Sequence, residues 1–343
     1  MRINFIIEGA GLAKGNGICS AATRLASFLR KDGIKVDING SGYNYDIVHS
    51  HTPMFFTLAK FMEARNRGIK IVAHAHTTAE DVKGSWSFTE SKYFLDTIAK
   101  YLTFFYNNAD LILAPSGWTA EMLKKRHVKP PIKVISNGVD RKIFKFSEAR
   151  RKRFRDQYGF GKNDKVVYCV GIVYLRKGIE TFIKVAERFP EVKFIWIGHK
   201  YPSALIGHSK ITKILETAPP NVKMLGFVDN IVDAHCGSDI LLFPSYAENQ
   251  GIAVLEAMSC GRPAIVRNLP SYRSWGLTNG ENSLISFSEQ DFSKNLSAVL
   301  EDTRLREKLS ENGKKYVKNH DIRKVCGNLI KIYEDLVDSK SGS

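Results

Sequence analysis

The sequence predicts an α/β protein of two doubly wound domains in tandem, and three observations predict it. The chain has 343 residues, 43% of them hydrophobic, which is enough for two domains each with its own core. Short β-branched runs alternate with amphipathic stretches from end to end, the pattern of a parallel sheet flanked by helices. That rhythm breaks once, after Gly138, and then restarts.

In the first half, "RINFIIEG", "DIVHSH", "KIVAHAH", "LILAPS" and "KVISNG" are expected strands. Between them "CSAATRLASFLRKDG", "FFTLAKFMEARNRG" and "TAEMLKKRH" carry apolar residues at helical spacing. "SKYFLDTIAKYLTFFYNN" is apolar on nearly every face, which marks a helix that is buried or meets another apolar surface. The passage "VDRKIFKFSEARRKRFRDQYGFGKND" suits a linker and a first helix. The second half then offers "KVVYCVGIV", "VKFIWIG", "VKMLGFV", "DILLFPS" and "RPAIVRN" as strands, with "IETFIKVAERF", "IVDAHCGS" and "IAVLEAMSCG" as helices. The expected boundaries are 1–145, 146–320 and 321–343. The last piece is an amphipathic helix, "IRKVCGNLIKIYEDLV", that returns across the domain junction, followed by a polar tail. Sheets of this type bind ligands beyond the carboxyl ends of their strands, so a tandem pair can close on one substrate in the cleft between them.

The formal charge of +16 implies attraction to something anionic: nucleic acid, a membrane surface or a phosphorylated small molecule. The five cysteines are scattered without C-x-x-C spacing, which suggests neither a zinc site nor a disulfide framework. No signal-peptide pattern opens the chain and no uncharged apolar run is long enough for a bilayer. A cytosolic protein, or one attached to a membrane from the cytosol, is expected.

The stretch "YAENQGIAVLEAMSCG" places Glu248 and Glu256 eight residues apart with Gly251 between them. On one continuous helix they would be too far apart for a shared proton. If instead a helix begins near Gly251, Glu248 lies in the loop before it and Glu256 about one turn inside, and both can face one ligand lying across the helix start. The backbone amides around Gly251 then form an anion site at the positive end of the helix dipole. Two carboxylates beside such a site suit a sugar nucleotide, taking hydrogen bonds from hydroxyls while the amides take phosphate oxygens. Arg176 and Lys177, in "VGIVYLRKGIET", stand at a strand-to-helix turn where two cations can clamp a diphosphate.

The loop "EGAGLAKGNGICSA" fits neither G-x-G-x-x-G nor a P-loop, because Lys14 stands where the third glycine belongs. Gly15 and Gly17 can still bring backbone amides close to a phosphate. His49, His51, His74 and His76 lie near strand ends, and H-x-H in a strand aims both rings at one face. With no cysteine or well-placed third ligand beside them, no metal site is expected. At least two of the four are expected to be structural, and His76, last in its strand, is expected to contact the reacting sugar. Trp86, Phe88 and Trp118 and the run "KKRHVKPPIK" add an aromatic and basic surface to the first half. Such a surface is either a solvated face or one that lies on anionic lipid.

E-x7-E in "ENQGIAVLE", "RKG" after a strand, "APSGWTAEML" and "ISNGVD" together resemble the family-4 retaining glycosyltransferases of the GT-B fold, over nearly the whole chain. Within that family, "HAHTTAEDVKGSW", "FFYNNADLILAPS" and "GIVYLRKGIETFIKVA" are most similar to bacterial synthases that glycosylate diacylglycerol or glucosyl-diacylglycerol. The resemblance implies two Rossmann-like domains facing a central cleft, acceptor-binding first and nucleotide-sugar-binding second. It implies a UDP-sugar donor carrying glucose or galactose, a lipid acceptor, no required cofactor, and at most an accessory divalent cation. It also implies a peripheral position on the inner face of the cell membrane, held through the basic N-terminal domain, and no nucleic-acid partner. By position, Glu256 would bind ribose hydroxyls, Glu248 the transferred hexose, the amides of Asn249, Gln250, Gly251 and Ile252 sugar hydroxyls and phosphate, Lys177 the diphosphate and His76 the sugar near the reacting carbon. Many members carry Arg directly after the glycine that ends the strand; here Ile172 stands there, and Arg176 can supply the guanidinium. Where many have E-G-F-G, this chain has Glu248-Asn249-Gln250-Gly251. The alternatives are a soluble or polymeric glycan acceptor with the same donor, and a non-enzymatic nucleic-acid binder. The second lacks any aromatic-basic RNA signature or helix-turn-helix pattern.

Overall fold

The computed structural model describes residues 1–9, 17–85, 91–200 and 208–339. Gly15, Lys14, Trp86 and Phe88 lie outside the described residues.

The chain opens with β1 (Arg2–Ile6), α1 (Gly17–Lys31), β2 (Lys35–Ile38), β3 (Ile47–Ser50), α2 (Phe55–Asn66) and β4 (Lys70–His74). It continues with α3 (Ala79–Val82), α4 (Lys92–Asn107), β5 (Leu111–Ala114), α5 (Gly117–Lys125) and β6 (Ile132–Val134). These strands form one parallel sheet in the order β2-β1-β3-β4-β5-β6. Helices cover both faces of a parallel sheet, so its central strands read as continuous apolar runs; every residue of β5 is buried. On one face Leu25 and Leu29 of α1 pack with Phe5, Ile47 and Val72. On the other, Phe61 of α2 and Phe105 of α4 pack with Val48, Ile71 and Ile112. Each such side chain contributes roughly 1.5–3 kcal/mol by leaving water. Ser116 starts α5 by accepting from the Thr119 amide at 3.1 Å, which satisfies one orphan donor of the first turn.

The second half contains α6 (Glu148–Tyr158), β7 (Val166–Val170), α7 (Ile179–Ala186), β8 (Lys193–Ile197), α8 (His208–Glu216), β9 (Val222–Gly226) and α9 (Ile231–Gly237). There follow β10 (Ile240–Phe243), α10 (Ile252–Ser259), β11 (Ala264–Arg267), α11 (Pro270–Ser274), β12 (Leu284–Ser286), α12 (Glu289–Glu301), α13 (Thr303–Tyr316) and finally α14 (Ile322–Asp338). The strands again form a parallel sheet, in the order β12-β11-β10-β7-β8-β9. The short elements β2, β12, α3, α8 and α11, and the helices α12 and α13, add to those expected from periodicity.

By contacts the chain forms two compact units. One holds Met1–Val82, Ser91–Gly138 and Ile322–Ser343; the other holds Lys83–Glu90 and Val139–Asp321. Helix α14 therefore joins the N-terminal sheet, where Cys326, Leu329 and Tyr333 complete the face shared with α1. The passage after Gly138 holds the expected first helix, α6, and its arginines are paired. Arg155 is only 4% exposed and donates to Gly237 O at 2.9 Å and to Asp239 Oδ2 at 2.8 Å. Arg150 and Arg153 share Asp233, at 2.8 and 2.6 Å. The acidic partners stand some eighty residues downstream, so this basic run is internally neutralised.

Candidate active site

In the C-terminal unit the chain leaves β7 at Val170, one residue before the expected end at Gly171, and passes through a 3-10 turn, Leu175–Lys177, into α7. Gly178 joins the two with φ +78°, and a Cβ there would lie 2.3 Å from the Pro244 carbonyl oxygen. Only glycine permits this approach, which sets the turn against the loop that follows β10. Consequently the Lys177 ammonium donates to Glu248 Oε1, and the Ser245 hydroxyl donates to the same oxygen at 2.6 Å. Arg176 Nη1 lies 3.9 Å from that oxygen and donates to Ala247 O at 2.7 Å, while its Nε donates to Ser85 Oγ at 2.9 Å. The backbone closes the arrangement, with the Tyr246 amide donating to Arg176 O at 2.8 Å. Burial alone would push the Glu248 carboxyl up, but the charges of Lys177 and Arg176 and the hydrogen bonds from Lys177 and Ser245 outweigh it. The carboxyl is held below the ordinary carboxylate range.

Helix α10 begins at Ile252 with Gly251 as its N-cap, so Glu248, Asn249 and Gln250 form the loop that enters it, all buried. Glu256 is the fifth residue of α10 and is buried too. His235 Nε2 lies 3.6 Å from Glu256 Oε2, beyond hydrogen-bond reach, and His235 Nδ1 meets the Tyr168 hydroxyl at 2.7 Å. The unit thus brings Arg176, Lys177 and Glu248 into one cluster, and places Glu256 beyond a helix N-terminus whose amides point back toward that loop.

His76 and Gly17 belong to the N-terminal unit. Gly17 is the first residue of α1 and a side chain there would meet open space. His76 is not the last residue of its strand: β4 ends at His74, and the His76 amide turns back to His74 O at 2.8 Å. All four histidines are buried; the His74 ring stacks on His76 at 4.0 Å, and the His49 ring lies tilted against His51 at 4.3 Å between centroids. The expectation that no third ligand accompanies an H-x-H pair is also corrected. Because β3 and β4 are paired neighbours, one ring nitrogen from each of His49, His51 and His74 lies within 4.8 Å of the others. Burial, and then the neighbouring imidazoles, push His49, His51 and His74 well below the ordinary histidine value, and burial takes His76 down to about 3.

Sequence reasoning missed Ser245, His235 and Tyr168. Ser245 stands three residues before Glu248, a spacing that could have been tested, but nothing in sequence ties His235 to Glu256.

Comparison with known proteins completes the picture. Residues 150–316 match the model of the glycosyl transferases group 1, and residues 18–142 that of glycosyltransferase family 4. The processive diacylglycerol alpha-glucosyltransferase of Acholeplasma laidlawii is 31% identical over 99% of this chain and 100% of its own length. The alpha-galactosylglucosyldiacylglycerol synthase of Streptococcus pneumoniae is 28% identical over 99% of this chain and 90% of its own. Among solved structures, Anabaena HepE in complex with UDP-glucose superposes with a TM-score of 0.80 at 20% identity, over 98% of this chain and 100% of that one. The sucrose-phosphate synthase of Thermosynechococcus elongatus gives 0.85 at 16% identity, over 99% and 100%.

Proposed function

We infer the activity from one premise: the chain belongs to the family-4 glycosyltransferases of the GT-B fold. It is a hexosyltransferase of glycolipid synthesis, moving glucose or galactose from a UDP-sugar to diacylglycerol or glucosyl-diacylglycerol. The observation that carries this reading is the end-to-end likeness to two enzymes named for such lipids.

The residues divide the work by their chemistry. Lys177 neutralises the diphosphate as the bond to the sugar breaks, and the amides at the start of α10 take phosphate oxygens. Glu248, aimed by Ser245, Lys177 and Arg176, accepts from hydroxyls of the transferred hexose, and Glu256 accepts from the ribose. His76 borders the reacting carbon. The acceptor hydroxyl attacks on the leaving-group face and a diphosphate oxygen takes its proton, so the anomeric configuration is retained. Positioning and charge stabilisation supply the acceleration. Arg176 holds the Glu248 loop through Ala247 O and thereby acts on the donor through another residue.

A lipid acceptor calls for a surface that meets lipid. Among the described residues no helix is long and apolar enough to cross a membrane. The N-terminal unit exposes Met54, Phe55, Phe56 and Met62 around α2 and Tyr93, Phe94 and Phe104 on α4, with Phe55 78% and Tyr93 88% accessible. The Phe55 ring lies 5.1 Å from that of Tyr101, which joins the two runs, and Lys92 and Lys100 are exposed on α4. Aromatic rings with lysines beside them fit the headgroup level of an anionic inner leaflet. A screen of UDP-glucose and UDP-galactose against diacylglycerol and glucosyl-diacylglycerol in mixed micelles tests the activity; no transfer with any pair refutes it. Glu256→Ala should raise KM for the UDP-sugar by about tenfold, the effect of losing a charged hydrogen bond. Phe55→Ser with Tyr93→Ser should release the protein from anionic vesicles in co-sedimentation while leaving UDP binding intact.

A further inference from the structure

We propose that His49, His51 and His74 form a binding site for one transition-metal dication of the zinc type, buried within the N-terminal sheet. Three features carry it. One ring nitrogen from each residue lies within 4.8 Å of the others. His49, His51 and His74 are 0, 1 and 3% exposed, so water does not satisfy them from outside. Within that space His49 Nε2, His51 Nε2 and both nitrogens of His74 have no hydrogen-bond partner. Buried imidazole nitrogens without partners are costly, and a cation that accepts their lone pairs removes the cost.

The surroundings suit ligation. His49 Nδ1 meets the Tyr333 hydroxyl at 2.6 Å, and His51 Nδ1 meets His76 Nε2 at 3.1 Å. With the proton on Nδ1 of each ring, both bonds are donated outward and Nε2 is left as a bare lone pair, the arrangement that orients a ligating histidine. Neutral imidazoles select zinc, copper, nickel or iron over magnesium and calcium, which prefer oxygen. Bonds of about 2.0–2.1 Å at tetrahedral angles need nitrogens about 3.3 Å apart, so the rings close inward by rotation when the ion binds. The strands set the geometry: β3 and β4 are paired with His49 opposite Val72, which puts His74 level with His51 on the same face. Phe5 packs its ring against both His49 and His51, and α14 closes the face with Tyr333. The bound ion fixes the His51 ring and, through the 3.1 Å contact, the position of His76. Its role is structural and positioning, and it stands apart from the sugar-transfer reading, because metal content is measured without turnover.

A site this buried takes up its ion as the chain folds, which decides the experiment. Tag-free protein is unfolded in guanidinium with a chelator and refolded either in zinc chloride or in chelator, then gel-filtered and its zinc counted by mass spectrometry. The zinc-refolded protein should carry about one zinc per chain and melt several degrees higher than the metal-free protein. His49→Gln and His74→Gln should each drop the zinc to background, whereas His127→Asn, at an exposed residue, should keep it. Should a cluster variant fail to refold, cobalt in the parent decides: imidazole ligation gives visible d–d bands without the near-ultraviolet charge-transfer bands of thiolate. Background zinc in the refolded parent, zinc retained by both cluster variants, or a thiolate band would each overturn the proposal.

Discussion

Each sheet carries a buried polar cluster at or just past the carboxyl ends of its central strands, and the two clusters are satisfied in opposite ways. Beyond β7 and β10, Glu248 is enclosed by the charges of Lys177 and Arg176 and by the Ser245 hydroxyl. At the carboxyl ends of β3 and β4, four imidazoles are kept neutral by burial, and nitrogens of His49, His51 and His74 have no hydrogen-bond partner. The first cluster is complete within its own side chains and offers fixed charge to an anionic ligand. The second offers lone pairs, which call for a cation or a hydrogen-bond donor. Equivalent places in two copies of one architecture therefore suit chemically different ligands, and function follows the side chains rather than the fold.

Lys177→Ala should break this contrast most severely. It leaves Glu248 buried with its nearest cation 3.9 Å away, and losing one partner of a buried pair costs about 3–5 kcal/mol. Transfer should also slow by about 10²–10³-fold, as when one charge-stabilising group is removed. Denaturant midpoints and steady-state kinetics measure the two effects separately. Adding Glu248→Gln to Lys177→Ala should recover much of the stability and none of the activity; if it recovers neither, charge pairing is not what holds the loop.

Acid sharpens the same contrast. The Glu248 carboxyl is held below its ordinary value, so its stabilisation is complete above the usual carboxylate range, near about 4.3, and is lost as pH falls through the still lower folded value. The stability gap between parent and Glu248→Gln should accordingly be constant from neutrality to about pH 5 and shrink below it. A gap that shrinks between about pH 7 and 6 would mean that the pair does not depress this carboxyl.

In the histidine cluster the comparable probe is Tyr333→Phe. It removes only the hydroxyl that meets His49 Nδ1 at 2.6 Å and leaves one more buried nitrogen without a partner, at about 1–3 kcal/mol. Thermal melting of matched metal-free samples measures it. An unchanged midpoint would mean that the cluster does not depend on α14 for its hydrogen bonding.

The two clusters also differ in how far sequence disclosed them. Glu248, Lys177 and Arg176 are charged residues beside glycines at strand-to-helix turns, where spacing and turn chemistry are local signals. H-x-H is local as well, but the third ring comes from a neighbouring strand, and register between β3 and β4 is a property of the sheet. The strands with strong β-branched runs were legible for the same reason, whereas β2, KVDI, and β12, LIS, lack such a run. Helix α12 had a readable start, since Ser288 and Asp291 form a capping box, yet its mixed polarity hid it. The pairing of the basic run at Arg150–Arg155 was not legible, because its partners, Asp233 and Asp239, are distant in sequence.

Ser245→Ala gives the smallest and most discriminating effect. The hydroxyl donates to Glu248 Oε1 at 2.6 Å, the same oxygen that Lys177 engages, so its loss leaves the carboxylate still paired with a cation. Stability should fall by only about 1 kcal/mol. Yet the hydroxyl is also what fixes the direction of that carboxylate, since the lysine can follow it on a flexible stem. If Glu248 grips the transferred hexose, Ser245→Ala should raise KM for the UDP-sugar while leaving UDP affinity unchanged, because UDP carries no hexose to misplace. Equal weakening of both would assign Glu248 to the nucleotide end and move the hexose site elsewhere.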